Sequence, residues 1–360
     1  MKGVTLYCMV FHCLSVPYSP TKKDISLCAF VQKVYKFCDE MTKRGHTVYH
    51  YGHEDSSVNC TEHINVTNND ILKKSYGNLN DWKNKGFDQN VNTDAVRTFN
   101  NNCISELNKR IKSNKEFILC WFGFAHESCV KHFYNKAIVV EPSIGYDSMF
   151  APIKIFETHS QMHKMHGHSH TYIDLGSEFV VYPGFDPNDF LYKKEKSNTA
   201  LFLGRITEEK GAKLVYDICN DLKQDIIFAG PNILDLKDTR YCQFVGFVDP
   251  IKRMYLLSDA KFLFAPSLFI EPCNWTVIEA QFSGTPTITT NFGGFTETVL
   301  QGETGLRCSS INDIVYAVQN IDKFINPENC YRNAISKFTL EKQCDYYQYI
   351  FHNLSSTQIN

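Results

Sequence analysis

The sequence predicts an α/β protein with parallel sheets in two domains. The first observation is the order strand, helix, glycine, strand at the start of the chain: residues 3–11 are apolar, residues 25–44 have one apolar helical face, and Gly45 precedes a strand at 46–51. The second observation is the length, since 360 residues suffice for two domains of ordinary size. The third is a new series of alternating strands and helices that begins at residue 200.

Composition limits the class of protein. The chain is 43% hydrophobic and 21% charged, so two domains can each bury a core, and its net charge of −2 gives no case for nucleic-acid binding. Fourteen cysteines occur without a CxxC pair, and we find neither a secretory leader nor a run of ~18 apolar residues that would span a membrane. We therefore expect free thiols and a cytoplasmic protein without a transmembrane segment, and peripheral membrane contact stays open.

Polar residues follow several predicted strands of the first half. The patterns predict a helix at 94–112, loops and short elements over 52–92, and strands at 117–122, 137–140, 153–156 and 179–182. Ligands of open α/β sheets bind beyond the carboxyl ends of the strands. The residues that we expect there, facing a cleft, are His12, His126, Glu141, Gly145, Tyr146 and Glu157.

Five histidines lie between residues 159 and 170. His159 and His163 are four residues apart, a spacing that suits a metal on one helical face. No cysteine or carboxylate completes the set at close spacing, so we predict a polar helix end and loop without a metal. Binding of substrate hydroxyls by one of these side chains, with His163 as the candidate, is the alternative.

Residues 262–300 carry the main functional pattern. FLFAPS at 262–267 is predicted as a buried strand, and residues 275–282 have apolar side chains at helical spacing. Glu271 precedes this helix, and Glu279 lies about two turns along it. The backbone N–H groups of Asn274, Trp275 and Thr276 at the helix start suit a phosphate, and a carboxylate two turns on suits a ribose diol. Taken alone, the spacing is a weak pattern and favours a buried strand–helix unit with two solvated glutamates.

A second pattern lies upstream in FLGRITEEKG, residues 202–211. A predicted strand ends at Leu203, and Gly204 permits a tight turn. Arg205 and Lys210 can then converge on a diphosphate, because charge-assisted bonds from Arg and Lys suit a dianionic group. Together the two stretches indicate a site for a diphosphate, a ribose and a sugar.

These motifs, in this order, resemble those of the family-4 glycosyltransferases. The resemblance covers about residues 179–308 and rests on Gly204-Arg205…Lys210-Gly211, Pro266-Ser267, Glu271…Glu279, Gly284-Thr285-Pro286 and Gly293-Gly294…Glu297. It implies the GT-B architecture: two Rossmann-like, doubly wound domains facing a cleft, with a C-terminal helix that crosses back to the first domain. The implied domains are an acceptor-side domain at 1–189, a donor domain at 190–338 and the returning helix at 339–360. The strings EPSIGY and PGFDP are similar to a subgroup found in large DNA viruses and phages, which implies a host cytoplasm.

The resemblance also implies roles for single residues. Arg205 and Lys210 would bind the diphosphate, Glu279 the ribose, and Glu271 with the amides of 274–276 would lie near the sugar and β-phosphate. The family often carries a catalytic histidine after a strand of the 137–140 type, where this chain has Ser143 or Ile144. His126 or His163 would have to replace it, and we expect His126 in the catalytic set with Glu271, Arg205 and Lys210.

The expected function is retaining transfer of a sugar from a nucleotide-diphosphate sugar, with UDP or GDP as the nucleotide, to a hydroxyl acceptor on a glycan, lipid or protein-linked sugar. The resemblance implies no tightly bound cofactor and no obligate metal. Two alternatives stay open: a sugar-nucleotide epimerase or phosphorylase of the same architecture, and a non-catalytic sugar-nucleotide binding protein. Asn274 favours the last, since it stands where the family commonly has glycine. The sequence names neither the donor sugar, the acceptor nor the oligomeric state.

Overall fold

The computed structural model describes residues 7–23, 28–77 and 90–356, and the chain divides into two compact units. The first unit comprises Met1–Phe156, His170–Val181 and Gln343–Asn360. The second comprises Glu157–Ser169 and Tyr182–Lys342. The sequence-based boundary near residue 190 assigns residues 157–169 and 182–189 to the first domain, whereas here they pack with the second unit.

The first unit is built on a parallel sheet with seven described strands in the order β3-β2-β1-β4-β5-β6-β7. The strands are β1 (Val10–Leu14), β2 (Thr47–His53), β3 (Glu62–Thr67), β4 (Phe117–Cys120), β5 (Ile138–Ile144), β6 (Ile153–Phe156) and β7 (Glu178–Val180). The order reverses between β1 and β4, so the carboxyl ends of these two strands flank the switch point of the sheet.

The second unit contains a parallel sheet with six described strands in the order β10-β9-β8-β11-β12-β13. The strands are β8 (Ala200–Leu203), β9 (Ile226–Ala229), β10 (Cys242–Gly246), β11 (Leu263–Ala265), β12 (Thr287–Thr290) and β13 (Gly305–Cys308). The switch point lies between β8 and β11. Gly204-Arg205 follows β8 and Pro266-Ser267 follows β11, so the sheet brings these two motifs to one edge.

Helices connect the strands in both units. Those of the described residues are α1 (Ala29–Lys43), α2 (Asn69–Tyr76), α3 (Asp94–Arg110), α4 (Glu127–Val130), α5 (His159–Ser169), α6 (Ala212–Leu222), α7 (Pro250–Asp259), α8 (Trp275–Phe282), α9 (Phe295–Thr298), α10 (Ile311–Phe324), α11 (Pro327–Lys337) and α12 (Leu340–Ser356). Single 3₁₀ turns occur at Gly123–His126, Lys131–Phe133 and Pro187–Asp189.

The last helix packs on the core of the first unit. The ring of Phe351 lies 4.9 Å from that of Phe117 and 5.3 Å from that of Phe11, measured between centroids. Phe351 is fully buried, and Tyr347 stacks on it at 5.7 Å. Burial of a side chain of this size contributes roughly 1.5–3 kcal/mol. Tyr347 and Phe351 therefore form part of the core of the first unit, whereas Tyr346 and Tyr349 of the same helix are exposed.

The first strand differs from its prediction over residues 3–11. Residues 1–6 lie outside the described part of the chain, and β1 continues through His12 to Leu14. A polar histidine predicts the end of a buried apolar strand. In the structure, however, the ring nitrogens of His12 lie 2.9 Å from the Tyr51 hydroxyl and 2.9 Å from a Glu116 oxygen. These bonds compensate the burial of the imidazole. The predicted start of the first helix, with Asp24 or Ser26 as its cap, lies outside the described residues.

Two polar segments are more regular than their composition indicates. Residues 52–92 contain β3, an edge strand, and α2, whose first turn is capped by the Asn68 side chain accepting from Ile71 N–H at 3.0 Å. The histidine-rich segment forms a complete helix, α5, rather than a helix end and loop. The Thr158 hydroxyl accepts from Gln161 N–H at 3.1 Å, and Met162 and Met165 are buried. Local capping therefore outweighs the lack of a long apolar face.

Candidate functional site

An ion pair lies at the carboxyl edge of the second sheet, between Lys210 and Glu271. Lys210 Nζ donates to both carboxylate oxygens of Glu271 at 2.8 Å each, and the Ser267 hydroxyl donates to Oε2 at 2.6 Å. The Glu271 side chain is 8% exposed and that of Lys210 is 20% exposed. Two of the sequence-predicted residues are thus in direct contact, and each compensates the charge of the other.

Glycines allow the segments around this pair to approach closely. Gly211 has φ +73°, and a Cβ there would overlap the carbonyl oxygen of Pro266 at the end of β11. A Cβ on Gly293 would lie 2.9 Å from the backbone nitrogen of Glu271, and Gly294 N–H donates to the Glu271 carbonyl at 2.7 Å. The K-G, P-S and G-G motifs therefore meet around Glu271, which explains why glycine is needed at two of them.

Arg205 does not join the pair. Its side chain is 63% exposed, and its guanidinium lies 3.5 Å from a carboxylate oxygen of Glu209, four residues along the chain. Gly204 before it has φ +147°, as the predicted turn requires. The expected convergence of Arg205 and Lys210 on one point is absent from this structure. An exposed arginine beside the switch point is nevertheless able to turn toward an anion.

The start of α8 follows directly after Glu271. Asn274 precedes the helix with φ +59°, a left-handed conformation that asparagine tolerates better than most residues. Its Oδ1 accepts from the Thr276 hydroxyl at 2.5 Å. The Trp275 ring packs edge-on against Phe185 at 5.3 Å, so this side chain belongs to the core beneath the helix. The contribution of residues 274–276 to a ligand would come from their backbone and from Asn274.

Glu279 has a partner that the sequence reasoning missed. Its carboxylate forms an ion pair with the guanidinium of Arg253 on α7. The side chain of Glu279 is 12% exposed and that of Arg253 is 26% exposed. Arg253 falls in DPIKRMY, a helical segment without a recognisable motif, so no signal in the sequence distinguishes it from its exposed neighbour Lys252.

The carboxylate of Glu297, the last residue of the G-G-x-x-E motif, binds the start of α5. It accepts from the backbone N–H groups of His159 at 2.9 Å and Ser160 at 2.7 Å, and from the Tyr182 hydroxyl at 3.0 Å. A carboxylate at this position also interacts favourably with the helix dipole. Thr158 and Ser160 donate through their hydroxyls to the carbonyls of Pro272 and Gly293, at 2.6 and 3.0 Å.

Two residues that the sequence predicts on the acceptor side, Glu157 and His163, lie within the second unit. Glu157, which precedes α5, is buried, and His163 is exposed on that helix. The ring centroids of His163 and His159 are 6.3 Å apart. The sequence assigns both Glu157 and His163 to the first domain, but the capping of α5 by Glu297 attaches them to the loops of the second unit.

The two histidines of the first unit that the sequence predicts at the cleft, His12 and His126, are buried in its interior. The sequence predicts that His12 follows the first strand and faces a cleft, but it lies within β1. Burial lowers the pKa of His12. His126 follows β4 in a 3₁₀ turn, lies 5.2 Å from the ring of Phe99 and is fully buried. Burial lowers the pKa of His126 to about 3, so the neutral ring is a weak base at pH 7. This placement argues against the predicted catalytic role of His126.

Glu141, on β5, organises the loop that follows this strand. It is fully buried and accepts from the Tyr146 hydroxyl and from Phe150 N–H, both at 2.8 Å. Burial raises the pKa of Glu141 to about 7. Gly145 lies in the loop thus closed, and the Tyr146 ring occupies the space where a Cβ on Gly123 would be, 2.5 Å from the hydroxyl oxygen. The hydrogen bonds of Glu141 thus stabilise the loop that contains Gly145 and Tyr146.

Among the described residues, no group of three or more His, Cys, Asp or Glu side chains is arranged to hold a metal ion. None of the described helices combines the length and apolarity needed to cross a membrane. All fourteen cysteines are free thiols, and all but Cys8 and Cys60 are buried.

Comparison with known sequences gives a family match in the second half of the chain and a shorter match to a curated protein. Residues 188–340 match the family model described as "Glycosyl transferases group 1". A segment of 70 residues is 39% identical to glycogen synthase of Mycobacterium tuberculosis, covering 19% of this chain. That segment spans only 17% of the length of the glycogen synthase.

Solved structures match nearly the whole chain. Anabaena HepE, in complex with UDP and glucose, has a TM-score of 0.67 at 14% identity, covering 97% of this chain and 100% of that one. Sucrose-phosphate synthase from Thermosynechococcus elongatus has a TM-score of 0.69 at 15% identity, covering 96% and 99%. The predicted fold class, with two Rossmann-like domains of the GT-B architecture, is thereby confirmed. The protein has the fold of these two structures, and its residues 188–340 are similar to the group 1 glycosyltransferase family.

Proposed function

We propose that the protein is a retaining glycosyltransferase that moves a sugar from a nucleotide-diphosphate sugar to a hydroxyl acceptor. The observation that carries the proposal is the Lys210–Glu271 pair at the carboxyl edge of the second sheet, next to the start of α8. The segment that holds it matches a glycosyltransferase family model. The retaining stereochemistry and membership of family 4 are supported by the resemblance of the sequence motifs.

The residues suggest how donor binding proceeds. A diphosphate that enters beside the start of α8 would draw Lys210 from Glu271, because a dianion attracts the ammonium more strongly than one carboxylate does. Glu271 would then be free to face the sugar. Arg205 would turn from Glu209 to the same phosphates. Fixed positive charge facing the leaving diphosphate stabilises the transition state, and these two side chains supply it without a metal ion.

The proposed catalytic set is therefore Glu271, Arg205 and Lys210, without His126. Glu279 would bind the ribose, and the backbone of residues 274–276 the β-phosphate and sugar. The donor would carry UDP or GDP, and UDP is the first to test because HepE was solved with UDP. The acceptor class is a glycan or glycoconjugate hydroxyl. The free thiols support a reducing compartment such as the cytoplasm.

The test is product analysis with UDP- and GDP-linked sugars and a panel of glycan and glycolipid acceptors. The proposal predicts a glycosylated acceptor whose new bond keeps the anomeric configuration of the donor. NMR of the anomeric proton measures this configuration. A product of inverted configuration would refute the retaining mechanism. Epimerised donor without acceptor, or cleavage that needs inorganic phosphate, would identify an epimerase or a phosphorylase. Donor binding without turnover of any acceptor would identify a binding protein.

A further inference from the structure

Arg253 occupies a position that the motifs leave unassigned. It lies on α7, and its guanidinium meets the Glu279 carboxylate on the neighbouring helix α8. Glu279 and Arg253 are both largely shielded from water, with 12% and 26% of their side chains exposed. A pair with so little exposure differs from a surface ion pair, because removal of one partner leaves the other charge poorly compensated.

The pair is asymmetric in a way that leaves room for a ligand. Arg253 contacts Oε2 of Glu279, and within the described residues no donor is recorded at Oε1. Glu271 contrasts with it, since both of its oxygens bond to Lys210. An ionised carboxylate offers about four lone-pair positions. The Glu279 carboxylate therefore keeps acceptor capacity for a vicinal diol while one oxygen is held by Arg253.

The guanidinium also fixes the direction of the carboxylate. Arginine presents its N–H groups in a rigid planar fork, so a contact from it constrains the orientation of the bound oxygen more than a lysine contact does. Orientation matters for a diol, because both hydroxyl groups must reach acceptors at once. Preorganisation of this kind raises affinity by reducing the entropy that binding would otherwise lose.

We propose that Arg253 is a positioning residue of the nucleotide site, which orients Glu279 so that the enzyme selects ribonucleoside diphosphates over their 2′-deoxy forms. The inference rests on the proposed function, since it requires that the nucleotide binds in the second unit. Arg253 acts through Glu279 and does not itself contact the reacting atoms. The chain supplies a matched control in Lys252, an exposed cation one residue away on the same helix.

The experiment is calorimetric titration of the full chain with UDP and 2′-deoxy-UDP, and with the GDP pair if UDP does not bind. Loss of one charge-assisted contact corresponds to about tenfold in affinity. We expect the parent to prefer the ribonucleotide by about this factor, and Arg253→Gln to lose that preference while its affinity for the deoxy form changes little. Lys252→Gln should keep both affinities. Arg253→Lys, which retains the charge, should keep part of the preference and serves if Arg253→Gln does not fold.

The double variant Arg253→Gln with Glu279→Gln separates positioning from a general effect. If Arg253 acts through Glu279, the double variant binds the ribonucleotide no more weakly than Glu279→Gln alone. An undiminished ribose preference in Arg253→Gln, or in Arg253→Lys if only that variant folds, overturns the inference and leaves the proposed function intact. Absence of binding of any nucleoside diphosphate to the parent overturns both.

Discussion

Two carboxylates, one in each unit, are both buried and differ in what surrounds them. Glu271 follows β11 in the second unit and is bonded by the ammonium of Lys210 and the hydroxyl of Ser267. Glu141 lies in the middle of β5 of the first unit and is bonded by two backbone N–H groups and the Tyr146 hydroxyl. In the proposed function, the cation next to Glu271 moves to the diphosphate of the donor. The donors around Glu141 instead hold its own loop.

The histidines extend this comparison. His12 and His126 are buried in the first unit, and burial lowers the pKa of both. The second unit instead exposes Arg205 and keeps Lys210 partly accessible at its sheet edge. Substitutions should therefore separate the two regions: those at the edge of the second sheet change turnover, and those in the first unit change stability and its pH dependence.

The largest effect should come from Lys210→Ala. Removal of a single group that stabilises developing negative charge costs about 10²–10³-fold in kcat. Steady-state assays of Lys210→Ala beside Lys213→Ala measure this effect. Lys213 is an exposed lysine three residues further on, paired with Asp217, and its loss should leave kcat unchanged. Equal rates for both variants would remove the distinction between Lys210 and an ordinary surface charge.

Glu141→Gln should change the pH dependence of stability. The folded-state pKa of Glu141 is about 7, above its usual value of 4.5, so the contribution of the neutral carboxyl is complete below pH 4.5 and is lost as the pH rises through 7. Between pH 5 and pH 8 the parent should lose on the order of 2–3 kcal/mol relative to Glu141→Gln. Urea unfolding at both pH values measures the difference. If the free energies of unfolding of the parent and the variant differed by the same amount at pH 5 and pH 8, Glu141 would be charged in the folded protein.

His126→Leu should act in the opposite pH direction. The folded-state pKa of about 3 lies below the usual 6.5, so stability is complete above pH 6.5 and falls on acidification, as the unfolded chain takes up a proton that the buried ring does not. Relative to the variant, the parent should lose on the order of 2 kcal/mol between pH 8 and pH 5. Turnover at pH 8 should be retained. Loss of turnover in a folded His126→Leu protein would restore the histidine to the catalytic set.

Arg205→Ala should have a smaller effect on turnover than Lys210→Ala, because in this structure the side chain is exposed and must be recruited by the donor. One charge-assisted hydrogen bond corresponds to about tenfold in kcat/KM. The free energy of unfolding should change by less than about 0.5 kcal/mol, as for other exposed positions. Parent-like kcat/KM would remove Arg205 from the site.

The sequence predicts the second unit better than the first, for a physical reason. Lys210, Glu271 and the glycines around them are fixed by backbone geometry that only certain residues allow, so their spacing is visible along the chain. The prediction that His12 faces a cleft depended on a strand that ends at residue 11. The strand ends three residues later, at Leu14, so His12 lies inside it. The strand continues past residue 11 because Tyr51 and Glu116, distant in sequence, provide hydrogen bonds for the imidazole.

Other features depend on contacts that no local pattern encodes. Arg253 meets Glu279 only because α7 and α8 pack together. Residues 157–169 belong to the second unit because Glu297, more than a hundred residues away, caps α5. No residue spacing in the sequence indicates either contact, so neither could be predicted without the structure.

The most direct test of the donor site is thermal unfolding of the parent, Lys210→Ala and Lys213→Ala with UDP, GDP and ADP. A ligand at about 100 times its Kd adds roughly 2.7 kcal/mol to the stability of the folded state, which raises Tm by several degrees for domains of this size. We predict such a shift with one nucleotide for the parent and Lys213→Ala, and its loss in Lys210→Ala. An equal shift in all three proteins, or none with any nucleotide, would contradict a donor site at the edge of the second sheet.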